Sequence, residues 1–449
     1  MRASVPPVTS FKKVRLHPAW AVAAVVFLAL IGAAGFRAAP GALMVPLHDE
    51  FGWSTSVMSL AVSINLLLFG LTAPFAAALM DRFGVRRVVA AALALVALGA
   101  GGSVFMTASW QLLLCWGVLI GLGTGSMALV LAATVANRWF EHRRGLVMGI
   151  LTAGSATGQL IFLPVVAALA DHAGWRPASL VVAAAALVVV PVVWLVVRDH
   201  PEDRGVAPYG APADWTPPLR VAGGATRRAL EGLGYAVRQQ AFWALAIAFA
   251  ICGATTNGLI GIHFIPSAHD HGMSSTTAAG LLAAVGVFDI VGTIASGWLT
   301  DKVDPRLLLV AYYLFRGVGL LLLPSLLAAT VHPSMVLFIV IYGLDWVATV
   351  PPTATLCREI FGERGTIVFG WVFAAHQLGA AAAALGAGVI RDSFGTYTYA
   401  WWAGAGLCAI AAVLSVVVVR PTAPTGPTRP AAIEEGSGEQ ATPLPDAVL

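Results

Sequence analysis

The feature that most constrains this chain of 449 residues is a series of apolar runs, each long enough to cross a lipid bilayer. A spanning helix needs about 20 mostly apolar residues. Twelve runs meet this requirement, at roughly 19–44, 55–80, 86–108, 110–136, 145–170, 176–197, 241–266, 275–299, 307–330, 334–356, 366–390 and 396–419. With 58% hydrophobic and 11% charged residues, the chain does not have the composition of a water-soluble globule. We predict an all-α integral membrane protein with twelve spans, numbered here in chain order.

The second half of the sequence repeats features of the first about 220 positions later. The recurring residues include Asp81 and Asp301, Arg138 and Arg358, Gly41 and Gly261, and Pro46 and Pro266. Parallel repeats in one polypeptide are typical of transport proteins whose two halves rock against each other. The repeat predicts two pseudo-symmetric six-helix bundles.

The predicted bundles cover residues 19–197 and 241–420. The segment 198–240 is rich in proline and arginine, which predicts a cytoplasmic linker with one surface helix near 224–239. Residues 1–18 form a short N-terminal tail, and we expect the tail 421–449 to be disordered because it has little apolar surface to bury.

Basic residues indicate the orientation, because Lys and Arg near span ends are retained in the cytoplasm. They crowd the N-terminal tail and the loops that follow even-numbered spans, which places both termini in the cytoplasm. The same charges account for the basic pI. Anionic lipid is their expected partner, so we predict no binding of nucleic acid. Arg outnumbers Lys by 23 to 3, which favours a GC-rich bacterial genome and hence the inner membrane.

Two loops carry a recognisable motif, the segment DRFGVRR from Asp81 and its degenerate copy GWLTDKVDPR from Gly297. Together with twelve spans in two halves, they resemble the major facilitator superfamily, and the resemblance implies that fold. The residues that match its loop pattern, and that we assign to gating, are Asp81, Arg82, Arg86, Arg87, Asp301, Lys302 and Arg306. A carboxylate at a helix end can bridge to the adjacent helix and latch the cytoplasmic side. In the alternative interpretation, these charges only mark topology.

Two further segments resemble a subgroup of that superfamily, the monocarboxylate porters and oxalate–formate antiporters. They are RWFEHRRGLVMGILTAGSATG from Arg138 and FGWSTS from Phe51. The resemblance implies small organic anions, commonly carboxylates, as substrates. The chain departs from the subgroup at Thr293, where the porters have an arginine four residues after the span 8 aspartate, here Asp289. The antiporters' span 11 lysine also has no counterpart, although His376 lies in that helix.

Ionisable residues inside spans are functional candidates because their insertion is costly. Arg37 in span 1 is the first candidate for an anion anchor, since a guanidinium matches a carboxylate bidentately. A structural pair or a gate residue is the alternative. Asn257 is the repeat partner of Arg37 and a second candidate for substrate binding, together with His376, Gln377 and Trp346.

Asp289 is the candidate for proton coupling, because burial favours the neutral acid. The alternative for Asp289 is a permanently ionised partner of Arg316. Arg316 in span 9 and Asp345 in span 10 are interpreted as a structural ion pair, and His376 as either a proton relay or a packing residue.

The sequence thus predicts a secondary transporter of small organic anions that works by rocker-switch alternating access, with H+ as the expected coupling ion. We expect a monomer without cofactor or metal, and no enzyme, because no catalytic constellation or nucleotide loop is found. Two alternatives stay open: proton-driven efflux of hydrophobic compounds, and a membrane sensor without flux of its own.

Overall fold

The structure, a computed structural model, describes residues 17–127, 129–212, 214–217 and 224–417, without the side chains of residues 37, 38, 129, 155, 156 and 225. The predicted tails fall almost wholly outside these residues. The described part is helical apart from loops, turns and one isolated bridge. Eleven continuous helical stretches in it are apolar and long enough to cross a membrane.

One of these stretches, Pro333–Phe394, has 62 residues and contains two spans. At about 1.5 Å per residue, it is far longer than the roughly 30 Å of a bilayer core. The chain reverses at Gly362, whose φ of +55° lies in the left-handed region that favours glycine. The count is therefore twelve, and the predicted fold class is confirmed.

The observed spans begin within two residues of the predicted ones and end within seven. Spans 1 to 6 are Pro18–Phe51, Thr55–Phe83, Val85–Ser103, Ser109–Trp139, Arg144–Ala173 and Trp175–Val196. Spans 7 to 12 are Gln240–Asp270, Ser275–Thr300, Pro305–Leu326, 333–361, Gly365–Phe394 and Thr398–Val417. Ser54 and Ser274 are repeat counterparts that cap spans 2 and 8 with their hydroxyl oxygens.

Three pairs of spans pack across the boundary between the halves: span 2 with 11, span 5 with 8, and span 1 with 7. We call the end of the bundle where span 1 begins the first face, and the opposite end the second face. Span 1 meets span 7 toward the second face, where a Cβ on Gly41 would lie 2.8 Å from the carbonyl oxygen of Ile262. Small residues thus let backbones approach closely, as is usual between membrane helices.

The linker lies against the first face. Its helix, Ala225–Ala236, was predicted near 224–239 and packs against spans 2 and 11. Trp371 of span 11 donates its indole N–H to the carbonyl oxygen of Ala229 at 2.9 Å. Earlier in the linker, Tyr209 pairs with the end of span 4 through a bridge to Phe140.

Candidate functional site

A cavity lies at the boundary between the halves, where spans 5, 8 and 10 meet. Its polar lining comes from Gln159 of span 5, Asp289 of span 8 and Trp346 of span 10. Beside these residues, Leu160 of span 5 packs against Gly286 of span 8. The structure therefore brings together two of the predicted site residues, Asp289 and Trp346, and adds Gln159.

Trp346 lies in a break of span 10. The helix stops at Asp345, four residues follow as a turn, and a second segment starts at Val350. The cause is local, because Pro351 and Pro352 have no N–H to donate to the preceding turn and are favoured in the first turn of a new helix. The break leaves backbone carbonyl and N–H groups without helical partners.

Two charged side chains satisfy these groups. Arg316 donates from Nη2 to the carbonyl oxygens of Asp345 at 2.7 Å and Trp346 at 3.4 Å. Asp289 accepts the N–H of Val347 at 3.0 Å. A cation thus faces the C-terminal end of the first helical segment, as the helix dipole favours, and an anion bonds to the turn that leads into the second.

The same guanidinium forms a buried ion pair. Arg316 Nε lies 2.6 Å from Asp345 Oδ2, and the two residues are 1% and 5% exposed. Arg316 Nη1 also lies 3.0 Å from the sulfur of Cys252 in span 7. Opposite charges at this distance offset part of each other's desolvation cost.

Asp289 has a different environment. Its side chain is only partly buried and lines the cavity. Besides the Val347 N–H, its Oδ1 accepts the hydroxyl proton of Thr293 at 3.1 Å. Both of these donors are neutral, so Asp289 is joined to the break of span 10 by hydrogen bonds and not by a direct salt bridge.

Asn257 lies in a π-helical segment of span 7, Ala254–Ile260. Such wide turns are frequent at functional sites. Asn257 is the one residue of this segment that is not buried. One turn further along, Gly261 faces the ring of Trp346, with 4.0 Å between that ring and the position of a Cβ.

Arg37 occupies the equivalent position of span 1. Its backbone is helical, and its side chain lies outside the described part of the structure. Gly41, one turn later, packs against Ile262 of span 7. The backbone of Arg37 is thus one turn from the contact between spans 1 and 7.

His376 and Gln377 of span 11 do not belong to the lining of this cavity. His376 stacks on Phe373, with 5.7 Å between ring centroids, and tilts against Phe249 of span 7 at 4.8 Å. Gln377 is buried against Gly70 of span 2. Both side chains lie where spans 2, 7 and 11 pack together.

The motif residues lie at the first face. Asp81 pairs with Arg138 of span 4 at 2.5 Å, within the first half. In the second half, Arg306 pairs with Asp304 at 2.8 Å and Lys302 lies over the ring of Trp298 at 3.8 Å. Arg82 and Arg86 lie over Phe83 and Trp194. Asp301 is the exposed C-cap of span 8.

Sequence reasoning missed the residues that shape the break, Pro351, Pro352 and Cys252. The prolines were a usable signal, since two adjacent prolines cannot lie in a helix interior without disturbing it. The approach of Cys252 to Arg316 had no signal in the sequence, because it depends on the packing of spans 7 and 9.

The family comparison matches the Major Facilitator Superfamily over residues 25–369 and 266–445. The uncharacterised MFS-type transporter YcxA of Bacillus subtilis is 26% identical over 83% of this chain and 88% of its own length. Monocarboxylate transporter 13 of Bos taurus is 29% identical over 80% of this chain and 79% of its own length. Monocarboxylate transporter 11 of Mus musculus is 30% identical over 67% of this chain and 64% of its own length.

Solved structures show the same fold at low identity. The D-xylose–proton symporter superposes with a TM-score of 0.67 at 15% identity, over 88% of this chain and 97% of its own. An inward-facing bacterial homologue of the human lysosomal transporter Spinster gives a TM-score of 0.63 at 17% identity, over 89% and 94% of the two chains.

Proposed function

The chain belongs to the major facilitator superfamily, and from that premise we propose that it carries small organic anions, most simply carboxylates, by rocker-switch alternating access coupled to protons. That it is a multi-pass membrane transporter, and not an enzyme, follows from the family. The substrate class is supported by the resemblance to monocarboxylate transporters and by Arg37 in span 1.

The observation that carries the proposal is the position of Asp289. It is the carboxylate that lines the cavity between the halves, and it accepts the N–H of Val347 within the break of span 10. Protonation of Asp289 removes the negative charge that faces the Val347 N–H. The hydrogen bond that ties Asp289 to the break before the second segment of span 10 becomes weaker as a result. The charge of one site and the position of one helix are then linked, as ion-coupled transport requires.

We further propose that the first face is cytoplasmic, that both termini lie on that side of a bacterial inner membrane, and that the protein acts as a monomer. The first-face loops carry the basic residues Arg82, Arg86, Arg87, Lys302 and Arg364. The second face instead carries acidic residues, among them Glu50, Asp171, Asp270 and Asp392. This asymmetry is the one that the positive-inside rule describes.

The test is a ligand screen followed by a flux assay. The purified protein is heated with a panel of carboxylates and with hydrophobic cations, because a ligand raises the stability of the state that it binds. We expect carboxylates to raise the melting temperature, and the same compounds to accumulate in proteoliposomes under an imposed pH gradient. Stabilisation by hydrophobic cations alone would point to efflux instead. Carboxylate binding without flux would point to a sensor.

A further inference from the structure

The second face carries two aspartates that are counterparts in the repeat. Asp171 lies near the end of span 5 and Asp392 near the end of span 11, at an offset close to the 220 residues that relate the halves. Each reaches the first turn of a span in the opposite half. Neither belongs to the cavity or to the loop motifs.

Their bonds cross the boundary between the halves. Asp392 accepts the backbone N–H groups of Thr55 and Ser56, at 3.1 and 2.7 Å, where span 2 begins. Asp171 accepts the backbone N–H of Thr276 at 3.1 Å and its hydroxyl proton at 2.6 Å, where span 8 begins. The first N–H groups of a helix have no intrahelical partners and carry partial positive charge, so each carboxylate has a complementary partner.

We propose that Asp171 and Asp392 form a two-point latch that holds the second face closed and is released each time this face opens. The proposal rests on the alternating access proposed above. If the halves rock apart at the second face, span 2 moves from span 11 and span 8 moves from span 5, and all four hydrogen bonds stretch. Other ion pairs of this face, such as Asp270 with Arg391, join residues of one half and can travel with it.

The packing beside the latch agrees with a closed second face. A Cβ on Gly388, one turn before Asp392, would lie 3.1 Å from the carbonyl oxygen of Thr55. Span 11 is therefore in close backbone contact with span 2 at the point where Asp392 bonds to it. Gly41 makes the corresponding close contact between spans 1 and 7.

The experiment measures the opening directly, without substrate. Spin labels are attached to cysteines at Thr107 and Thr330, exposed positions in the second-face loops of the two halves, with Cys115 replaced by alanine. Their distance distribution is recorded for the purified full chain by electron–electron double resonance. Asp171→Asn combined with Asp392→Asn should raise the ratio of long to short distances roughly tenfold, the effect of losing charge-assisted hydrogen bonds. Asp270→Asn removes a carboxylate from the same face without touching the boundary, and should leave the ratio unchanged.

A second pair of variants keeps every charge. Thr55 is the first residue of span 2, and Ser54 before it has the extended backbone that precedes a proline readily. Thr55→Pro therefore removes one N–H donor to Asp392 at a position where helices accept proline. Ser275→Pro places a proline at the equivalent position of span 8, where Asp171 uses the N–H of Thr276 instead. We expect Thr55→Pro to lengthen the distance and Ser275→Pro to leave it unchanged.

The latch is refuted if the double aspartate variant keeps the parent distribution, or if Thr55→Pro behaves like Ser275→Pro. Because no ligand enters the measurement, a failure of carboxylate transport leaves this result intact. Conversely, an unchanged distance in a protein that transports carboxylates overturns the latch and leaves the proposed function standing.

Discussion

At the scale of single residues, two aspartates in the membrane interior differ in what their surroundings allow. Asp345 is fully buried with Arg316 against it, so a proton on Asp345 would leave the guanidinium unpaired. Asp289 lines the cavity and accepts hydrogen bonds from two neutral donors, so its protonation leaves no partner cation unpaired. We therefore propose a structural role for Asp345 and the coupling role for Asp289.

Asp289→Asn should abolish accumulation driven by a pH gradient while substrate exchange at equal concentrations continues. The amide has nearly the shape of the protonated acid but cannot release a proton. The measurement is uptake into proteoliposomes, with and without an imposed gradient. Asp214→Asn, in the exposed linker, is the control and should behave like the parent chain. Gradient-driven accumulation by Asp289→Asn would remove this residue as the coupling site and make His376 the next candidate.

Arg37→Ala should weaken the binding of anionic substrates by roughly ten- to a hundredfold, the usual effect of losing hydrogen bonds to a charged group. Arg37→Lys should recover little of it, because an ammonium cannot replace the bidentate fork of a guanidinium. Titration of the ligand found in the thermal screen gives both affinities. Arg227→Ala is the matched control, because it removes an arginine from the exposed side of the linker helix, and it should leave the affinity unchanged. Unchanged affinity in both Arg37 variants would exclude Arg37 from the site.

At the scale of elements, the break of span 10 is caused by its own sequence and stabilised by neighbouring spans. Pro351 and Pro352 interrupt the helix, and side chains from spans 8 and 9 bond to backbone groups that have no helical partner at the break. The break separates the second segment, Val350–Phe361, from the first, and Asp289 and Arg316 bond to the backbone between them. A helix interrupted beside a cavity is a recurrent design of transporters.

Removing one partner of the buried pair should be far more harmful than removing both. Asp345→Leu leaves the guanidinium of Arg316 unpaired in the interior, which costs about 3–5 kcal/mol in comparable sites. Arg316→Met combined with Asp345→Leu leaves no buried charge and should regain most of that loss. Thermal unfolding of the purified variants measures this, with a four-variant cycle to obtain the coupling. Additive losses in the double variant would contradict the pairing.

At the scale of the whole molecule, the sequence predicted most of the fold and only part of the site. Twelve apolar runs determine the spans because lipid admits few alternatives to helices. The repeat makes Asp301 the counterpart of Asp81 and Arg358 the counterpart of Arg138. Asp81 bonds to Arg138, but Arg358 donates to Thr355 of its own span instead. Side-chain partners such as Cys252 for Arg316, or Asp392 for span 2, depend on how helices distant in sequence are rotated and offset. Periodicity and composition do not fix those quantities.

The loop carboxylates of the first face are expected to affect the balance between the two faces. Asp81 bonds to Arg138, which also donates to the carbonyl oxygen of Asp199 after span 6, so this carboxylate ties together the first-face ends of spans 2, 4 and 6. These bonds join spans of one half in a conformation whose second face is closed. If Asp81 reaches the other half when the first face closes, Asp81→Asn should shift the protein toward a state open at the first face. Asp301 is an exposed cap, so Asp301→Asn should shift the balance less in the conformation described here. Spin labels at His142 and Glu363, in exposed first-face loops of the two halves, report the opening. Equal and unchanged distances in both variants would mean that these charges only mark topology.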